Sequence, residues 1–227
     1  MKRRTVLLCL AALLCAPFAA LAQQAAPAAD PALRVFVIRH SYAWKNVPAA
    51  QRPKPMSAAE LDALTPDGVA RAEKIGASLK GSGVAAVHSS PARRAQQTAA
   101  AIAQQLGLAE GPIVDDAFRT LDTGTDRRAA SGSARMQSWK SGKDPRPPGG
   151  ESLHDGFERA RAELEALREK HAGRAIAVVT HGEIAATLLA HAAGRDIVAG
   201  YFDHFPGEAT VHEIRIGADG RWRTAQH

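Results

Sequence analysis

Two histidines each follow a short apolar run, and that placement carries the most chemical information in the chain. Leu33 to Ile38 read Leu-Arg-Val-Phe-Val-Ile and lead into Arg39-His40. Ala175 to Thr180 is a second such run and leads into His181-Gly182. Runs of this length and composition predict buried strands. Open α/β sheets place ligands at the carboxyl ends of their strands. Two imidazoles and at least one guanidinium at one sheet edge suit a phosphoryl group. Arg39-His40 alone fits an exposed strand end equally well. Ser89-Ser90-Pro91 shifts that balance, because it too lies where a strand gives way to a helix. It supplies hydroxyls, a helix N-terminus and Arg94 one turn in, and helix N-termini attract anions through free N–H groups and the dipole. Arg93 and Arg94 are adjacent and cannot point the same way.

The elements that must position these residues alternate along the chain. Strand signals cover Leu33 to Arg39, Val84 to Val87 and Ala175 to Thr180. Thr65-Pro66 starts a helix, with Thr65 as cap, Pro66 at the first helical position and Leu64 with Val69 as a staple. Val69, Ala72, Ile75 and Leu79 mark its apolar face and Gly81 its end. Ser90-Pro91 opens the next helix, with Ala95, Ala99, Ile102 and Leu106 inward and Gly107 as the stop. From Ile113 to Gly150 the periodicity fails, and the stretch ends Pro145-Arg146-Pro147-Pro148-Gly149-Gly150. A segment that long is expected to be a lid or binding loop. Glu151 to His171 and Glu183 to His191 read as helices. Ala209 to Ile216 and Arg221 to Thr224 read as a closing hairpin. The predicted fold class is α/β: a three-layer sandwich with a mainly parallel central sheet and helices on both faces.

The N-terminus reads differently. Met1 to Arg4 are basic, Thr5 to Leu14 almost wholly apolar, and Ala20-Leu21-Ala22 offers a small-x-small cleavage site. This pattern predicts a signal peptide over residues 1–22, a flexible leader over 23–32 rich in Ala, Gln and Pro, and one catalytic domain over 33–227. The expected location is periplasmic or secreted, with no lasting membrane association after cleavage. Both cysteines, Cys9 and Cys15, fall in the signal. Disulfides and thiolate catalysis are thereby excluded from the expected mature chain. The formal charge is +6; removing Lys2, Arg3 and Arg4 leaves about +3, too mild to indicate nucleic acid.

At this point the chain resembles the histidine phosphatase superfamily, in the branch that includes cofactor-dependent phosphoglycerate mutases and small phosphohistidine phosphatases. Arg39-His40 with Asn46 is similar to the opening motif. Leu64-Thr65-Pro66-Asp67-Gly68 with Ala72 resembles the second helix start. Ser89-Ser90-Pro91-Ala92-Arg93-Arg94-Ala95-Gln96-Gln97-Thr98-Ala99 is the most specific segment. Val178-Val179-Thr180-His181-Gly182 resembles the motif of the second histidine, and Gly149-Gly150-Glu151-Ser152 matches a further segment. The resemblance implies that His40 is the nucleophile and forms a phosphohistidine, with His181 as its catalytic partner. It implies that Arg39, Arg94, Asn46 and His181 bind the phosphate, and it selects Arg94 over Arg93 for the pocket. Neutral imidazole is a competent nucleophile, and preorganised cations are usually the largest catalytic contribution in such transfers. No metal and no other cofactor is expected; the expected partner is a small phosphorylated substrate.

Three departures qualify the resemblance. Ser41 replaces a glycine, where a side chain either crowds the phosphate or donates to it. Ala43 replaces a Ser or Thr. Thr120 stands where the family's general-acid Glu would align, and a threonine cannot protonate a leaving alkoxide. Asp122 is the nearest carboxylic acid and the first substitute, against its ordinary reading as a turn-capping aspartate beside Gly124. Glu183 is the second substitute, against its ordinary reading as a first-turn helix acid. The third alternative is no acid at all, which would make the chain a phosphate-binding pseudo-phosphatase or an enzyme restricted to easily departing groups. His88, His154, His171, His191, His204 and His212 are expected to be structural.

Overall fold

A strand pairs with whatever its apolar faces and edge hydrogen bonds can satisfy, and here those demands build one sheet. The computed structural model describes residues 32–125 and 132–225. The signal peptide expected over 1–22 and nearly all of the leader expected over 23–32 lie outside these residues. In chain order the elements are β1 (Leu33–Arg39), α1 (Ala58–Leu61), α2 (Pro66–Ser78), β2 (Val84–Ser89), α3 (Arg93–Leu106), β3 (Ile113–Val114), α4 (Gly132–Lys140), α5 (Leu153–Lys170), β4 (Ala175–Thr180), α6 (Gly182–Ala192), β5 (Val211–Ile216) and β6 (Trp222–Thr224). The sheet order is β3-β2-β4-β1-β5-β6. β1, β2, β3 and β4 run parallel, while β5 and β6 form the predicted antiparallel hairpin on the far edge.

The side-chain period of two sorts β1 and β4 between two cores. Leu33, Val35 and Val37 face one side with Ile176 and Val178, against Leu153, Leu164 and Leu188 from α5 and α6. Phe36 and Ile38 face the other with Ala177 and Val179, against Ile75, Ala99 and Ile102 from α2 and α3. β4 is buried along its whole length, as a central parallel strand must be. Fully burying one such Leu or Ile contributes about 1.5–3 kcal/mol.

Local signals hold for most helices. Thr65 caps α2, accepting from the Gly68 N–H at 2.9 Å, with Pro66 at the first position. Ser152 and Asp155 form a reciprocal cap on α5. Val69 departs from its expected place in the apolar face: it is 40% exposed, whereas Ile75 and Leu79 pack into the sheet-facing core and Ala72 packs beside Ala43 and Leu64. α3 begins at Arg93 rather than at Pro91, with Ala92 as its cap position. The stretch from Ile113 to Gly150, expected to lack regular elements, contains β3, a turn of 3-10 helix at Asp116–Phe118 and α4. α4 presents little amphipathic pattern, which is why periodicity missed it.

Candidate active site

Strand register makes the site. β1 and β4 pair so that Arg39 lies opposite Thr180, and β2 pairs with β4 so that Ser89 lies opposite Val179. His40 and His181 therefore leave adjacent strands at the same height, and Ser90 leaves the third strand one residue before them. The His40 N–H donates to the Thr180 carbonyl at 2.9 Å, and the Ser90 N–H to the Val179 carbonyl at 2.9 Å. The two imidazole rings lie edge to face, with centroids 5.3 Å apart.

Hydrogen bonds decide which nitrogens carry protons. His40 Nδ1 is 2.9 Å from the Ser41 carbonyl, which can only accept, so Nδ1 bears the proton and Nε2 keeps its lone pair. Burial pushes the His40 pKa down to about 3, against the effect of that carbonyl; Arg94, Arg39 and Lys45 push the same way as burial. At neutral pH His40 is an uncharged base with its nucleophilic nitrogen free. His181 Nδ1 accepts from Arg94 Nη2 at 2.9 Å, so its proton sits on Nε2, 2.7 Å from Ser90 Oγ. Burial and then Arg94 hold His181 neutral as well.

The guanidinium groups are fixed from several sides. Arg94, from the first turn of α3, is buried and bridges Asp62 and His181. Arg93 contributes its backbone N–H to Asp62 instead. Arg39 donates to Glu208 at 2.7 Å and to the Pro206 carbonyl at 2.9 Å, and lies over the Phe205 ring. Phe205 in turn requires Gly182, where a Cβ would come within 2.4 Å of the ring. The Ser41 side chain neither crowds nor lines the cavity; only its carbonyl touches the site, at His40 Nδ1. Its hydroxyl donates to the Gly68 carbonyl at 2.7 Å and its N–H to Thr98. Gly68 is the residue that allows this approach, since a Cβ there would meet the Tyr42 carbonyl at 2.1 Å.

These groups open onto a cavity of about 320 Å³ that Arg39, His40, Asn46, Arg94, His181 and Glu183 all line. Asn46 Oδ1 accepts from the Ala43 N–H at 3.1 Å, which leaves its amide protons as donors. Asp122 does not line the cavity. It is exposed, and its Oδ1 accepts from the Gly124 N–H at 2.8 Å, the turn-capping role. Glu183 does line it, in the first turn of α6, where it accepts from Thr120 Oγ1 at 3.2 Å. Lys45 and Arg135 also line the cavity and were not anticipated. Lys45 sits one residue before Asn46 and carried no separate signal. Arg135 is delivered by α4 from the stretch that showed no periodicity. A cleft of about 490 Å³ at the other end of the sheet is larger, but its Arg215 and Arg221 pair with Glu213 and Asp219, and no histidine lines it among the described residues.

Glu151 secures the segment that carries Thr120. It accepts from Arg119 Nη2 at 2.8 Å, from Arg159 at 3.1 Å and from the Asp122 N–H at 2.9 Å. Burial pushes this carboxyl up, but the hydrogen bonds from Arg119, Arg159 and the Asp122 amide outweigh it and bring the pKa down to about 2. The stabilisation is present above the ordinary carboxyl value and lost as pH falls through about 2. Glu151→Ala should cost about 2–3 kcal/mol, because two partly buried guanidinium groups lose their counter-charge. A urea midpoint indistinguishable from wild type would show that this cluster does not hold the segment.

Comparison with known proteins identifies the family and the fold. The family described as histidine phosphatase superfamily (branch 1) matches residues 35–226. A 2,3-bisphosphoglycerate-dependent phosphoglycerate mutase of Methylobacterium radiotolerans is 37% identical over 131 residues, covering 52% of this chain and 62% of that protein. The chain thus spans less than two thirds of the length of this relative. A probable phosphoglycerate mutase of Erwinia tasmaniensis is 29% identical over 157 residues, covering 66% of this chain and 70% of that protein. Among solved structures, a mycobacterial glucosyl-3-phosphoglycerate phosphatase superposes with a TM-score of 0.66 at 23% identity, over 85% of this chain and 97% of that one. Bacillus stearothermophilus YhfR gives 0.66 at 21% identity, over 85% and 95%. These two likenesses establish the shared fold.

Proposed function

Since the chain belongs to the histidine phosphatase superfamily, branch 1, we propose that it is an exported, metal-independent phosphomonoesterase working through a phosphohistidine on His40. The observation that carries this reading is the fixed tautomer of His40: Nδ1–H tied to the Ser41 carbonyl, Nε2 free and uncharged. Nε2 attacks phosphorus in line, the ester P–O bond breaks, and the leaving oxygen takes a proton. Water then attacks the phosphohistidine, the N–P bond breaks and phosphate departs. Arg39, Arg94 and the Asn46 amide supply the donors for the non-bridging oxygens. Two guanidinium groups held by Glu208 and Asp62 need no reorganisation when charge builds on phosphorus, and this is the support for chemistry without a metal.

Lys45 and Arg135 suit a small substrate with negative charge beyond the reacting phosphate. Arg135 is buried and donates to the Glu151 carbonyl, and its Nε has no partner among the described residues. Export rests on the basic, apolar and small-residue pattern of residues 1–22.

The test is phosphate release by the purified protein from aryl and alkyl phosphates, with and without EDTA, and with tails that do or do not carry a second acidic group. Turnover unchanged by chelator, and a lower KM for the acidic tails, is the expected result. Turnover that needs an added divalent ion would overturn the metal-free reading. Recovery of the protein from a soluble periplasmic or culture fraction, with Gln23 at its N-terminus, tests export. The relatives named as phosphoglycerate mutases favour a second reading, transfer rather than hydrolysis. Phosphoryl exchange between added bisphosphoglycerate and phosphoglycerate, faster than phosphate release, would establish it.

A further inference from the structure

We propose that Glu183 is the acid and base of this site, held in place by Thr120; the assignment rests on the phosphomonoesterase reading above. Expulsion of an alkoxide needs a proton at the leaving oxygen. Among the described residues that line the cavity, Glu183 alone is a carboxylic acid. The imidazoles are already committed: His40 must offer a free Nε2, and the His181 proton lies against Ser90 Oγ at 2.7 Å. Asp122 faces its own turn and does not reach the cavity.

The placement of Glu183 follows from the fold. It lies two residues after His181, in the first turn of α6, so the strand that delivers one imidazole delivers the carboxyl as well. Thr120 reaches it across the cavity from the segment after β3, with its Oγ1 3.2 Å from Glu183 Oε1. That hydroxyl can donate to the carboxylate or accept from the acid, so one contact positions both forms. Thr120 is a positioning residue and Glu183 the catalytic one.

The proton balance closes over one turnover. As His40 Nε2 bonds to phosphorus, the P–O ester bond breaks and the leaving oxygen takes the proton from Glu183. The Glu183 carboxylate then takes a proton from the attacking water as its oxygen bonds to phosphorus and the N–P bond breaks. Glu183 ends protonated and His40 ends neutral.

The experiment compares 4-nitrophenyl phosphate with an alkyl phosphate in wild type, Glu183→Gln and Thr120→Val. A general acid contributes about 10²- to 10⁴-fold. Glu183→Gln should lose that factor on the alkyl ester. On the aryl ester, whose leaving group departs without a proton, it should release one burst equivalent of nitrophenol and then turn over slowly, with phosphohistidine accumulating. Thr120→Val should shift the alkyl-to-aryl ratio the same way by less than about tenfold. Glu183→Asp, with its carboxyl withdrawn by one methylene, gives an intermediate ratio and serves if the Gln variant fails to fold. A ratio of alkyl to aryl first-turnover rates equal to wild type in Glu183→Gln would overturn the assignment. If the ratio instead collapses in Lys45→Met, the ammonium is the donor and Glu183 is not. Failure of the underlying reading looks different: wild type itself would then form no phosphohistidine with either ester.

Discussion

His40→Ala should abolish turnover of every phosphate ester, by at least about 10⁴-fold, because among the described residues no second imidazole in the cavity offers a free nucleophilic nitrogen. The acid-labile phosphoenzyme expected of wild type should vanish with it. Persistence of either signal would move the nucleophile elsewhere. The fold should survive the change, and its pH response gives an independent check. Burial holds the folded His40 pKa at about 3, below its ordinary value of 6.5. Below about pH 6.5 the unfolded chain binds a proton that the folded chain refuses, so His40 erodes stability as pH falls from 6.5 toward 3. Removing it should relieve that loss, by up to ~2 kcal/mol at pH 5 and by nothing at pH 7.5. Urea midpoints of the two proteins at both pH values measure the difference. An equal gap at both would show that His40 is not held neutral.

Arg94→Ala should lower kcat/KM by about 10²- to 10⁴-fold while leaving His40 available. Arg94 Nη1 pairs with Asp62 and Nη2 donates to His181 Nδ1, so one planar group fixes both a phosphate-facing charge and the tautomer of the second imidazole. Arg94→Lys should recover little of the loss, because a single ammonium nitrogen cannot reach both partners in the same plane. Arg93→Ala is the matched control. Its side chain does not line the cavity, and only its backbone N–H meets Asp62. Near-wild-type activity in Arg94→Lys would mean that charge alone suffices there. A large loss in Arg93→Ala would mean that the pocket arginine has been misassigned.

The response of the site to acid follows the same physics beyond His40. His88, His171 and His181 are also buried, and burial is the leading cause that lowers each of their pKa values. His88 and His171 lie away from the cavity, with ring centroids 6.3 Å apart, as the packed residues their sequence context suggested.

Sequence alone determined the strands that lead into His40 and His181, the helix start at Thr65, the helix expected over Glu151 to His171, and the closing hairpin. Each is a local property: an apolar run of strand length, a cap three residues before its N–H, a turn between two alternating segments. The choice of Arg94 over Arg93 came from motif resemblance, and helical geometry explains it, since adjacent residues point about 100° apart. The fate of Ser41 was not legible, because it depends on how closely Gly68 of α2 approaches, a contact 27 residues away. Nor was the difference between Asp122 and Glu183. By spacing, Asp122 is the nearer neighbour of Thr120, but its carboxylate closes its own turn. Glu183, 63 residues from Thr120, reaches it because parallel pairing brings the end of β4 beside the segment after β3. Arg135 was hidden for a related reason, as α4 has no continuous apolar face to announce it. Residue types and short periodicities set what each element was and which groups could carry chemistry. Register between strands distant in sequence decided which of those groups meet, because a pairing energy is shared between segments and neither one encodes it alone.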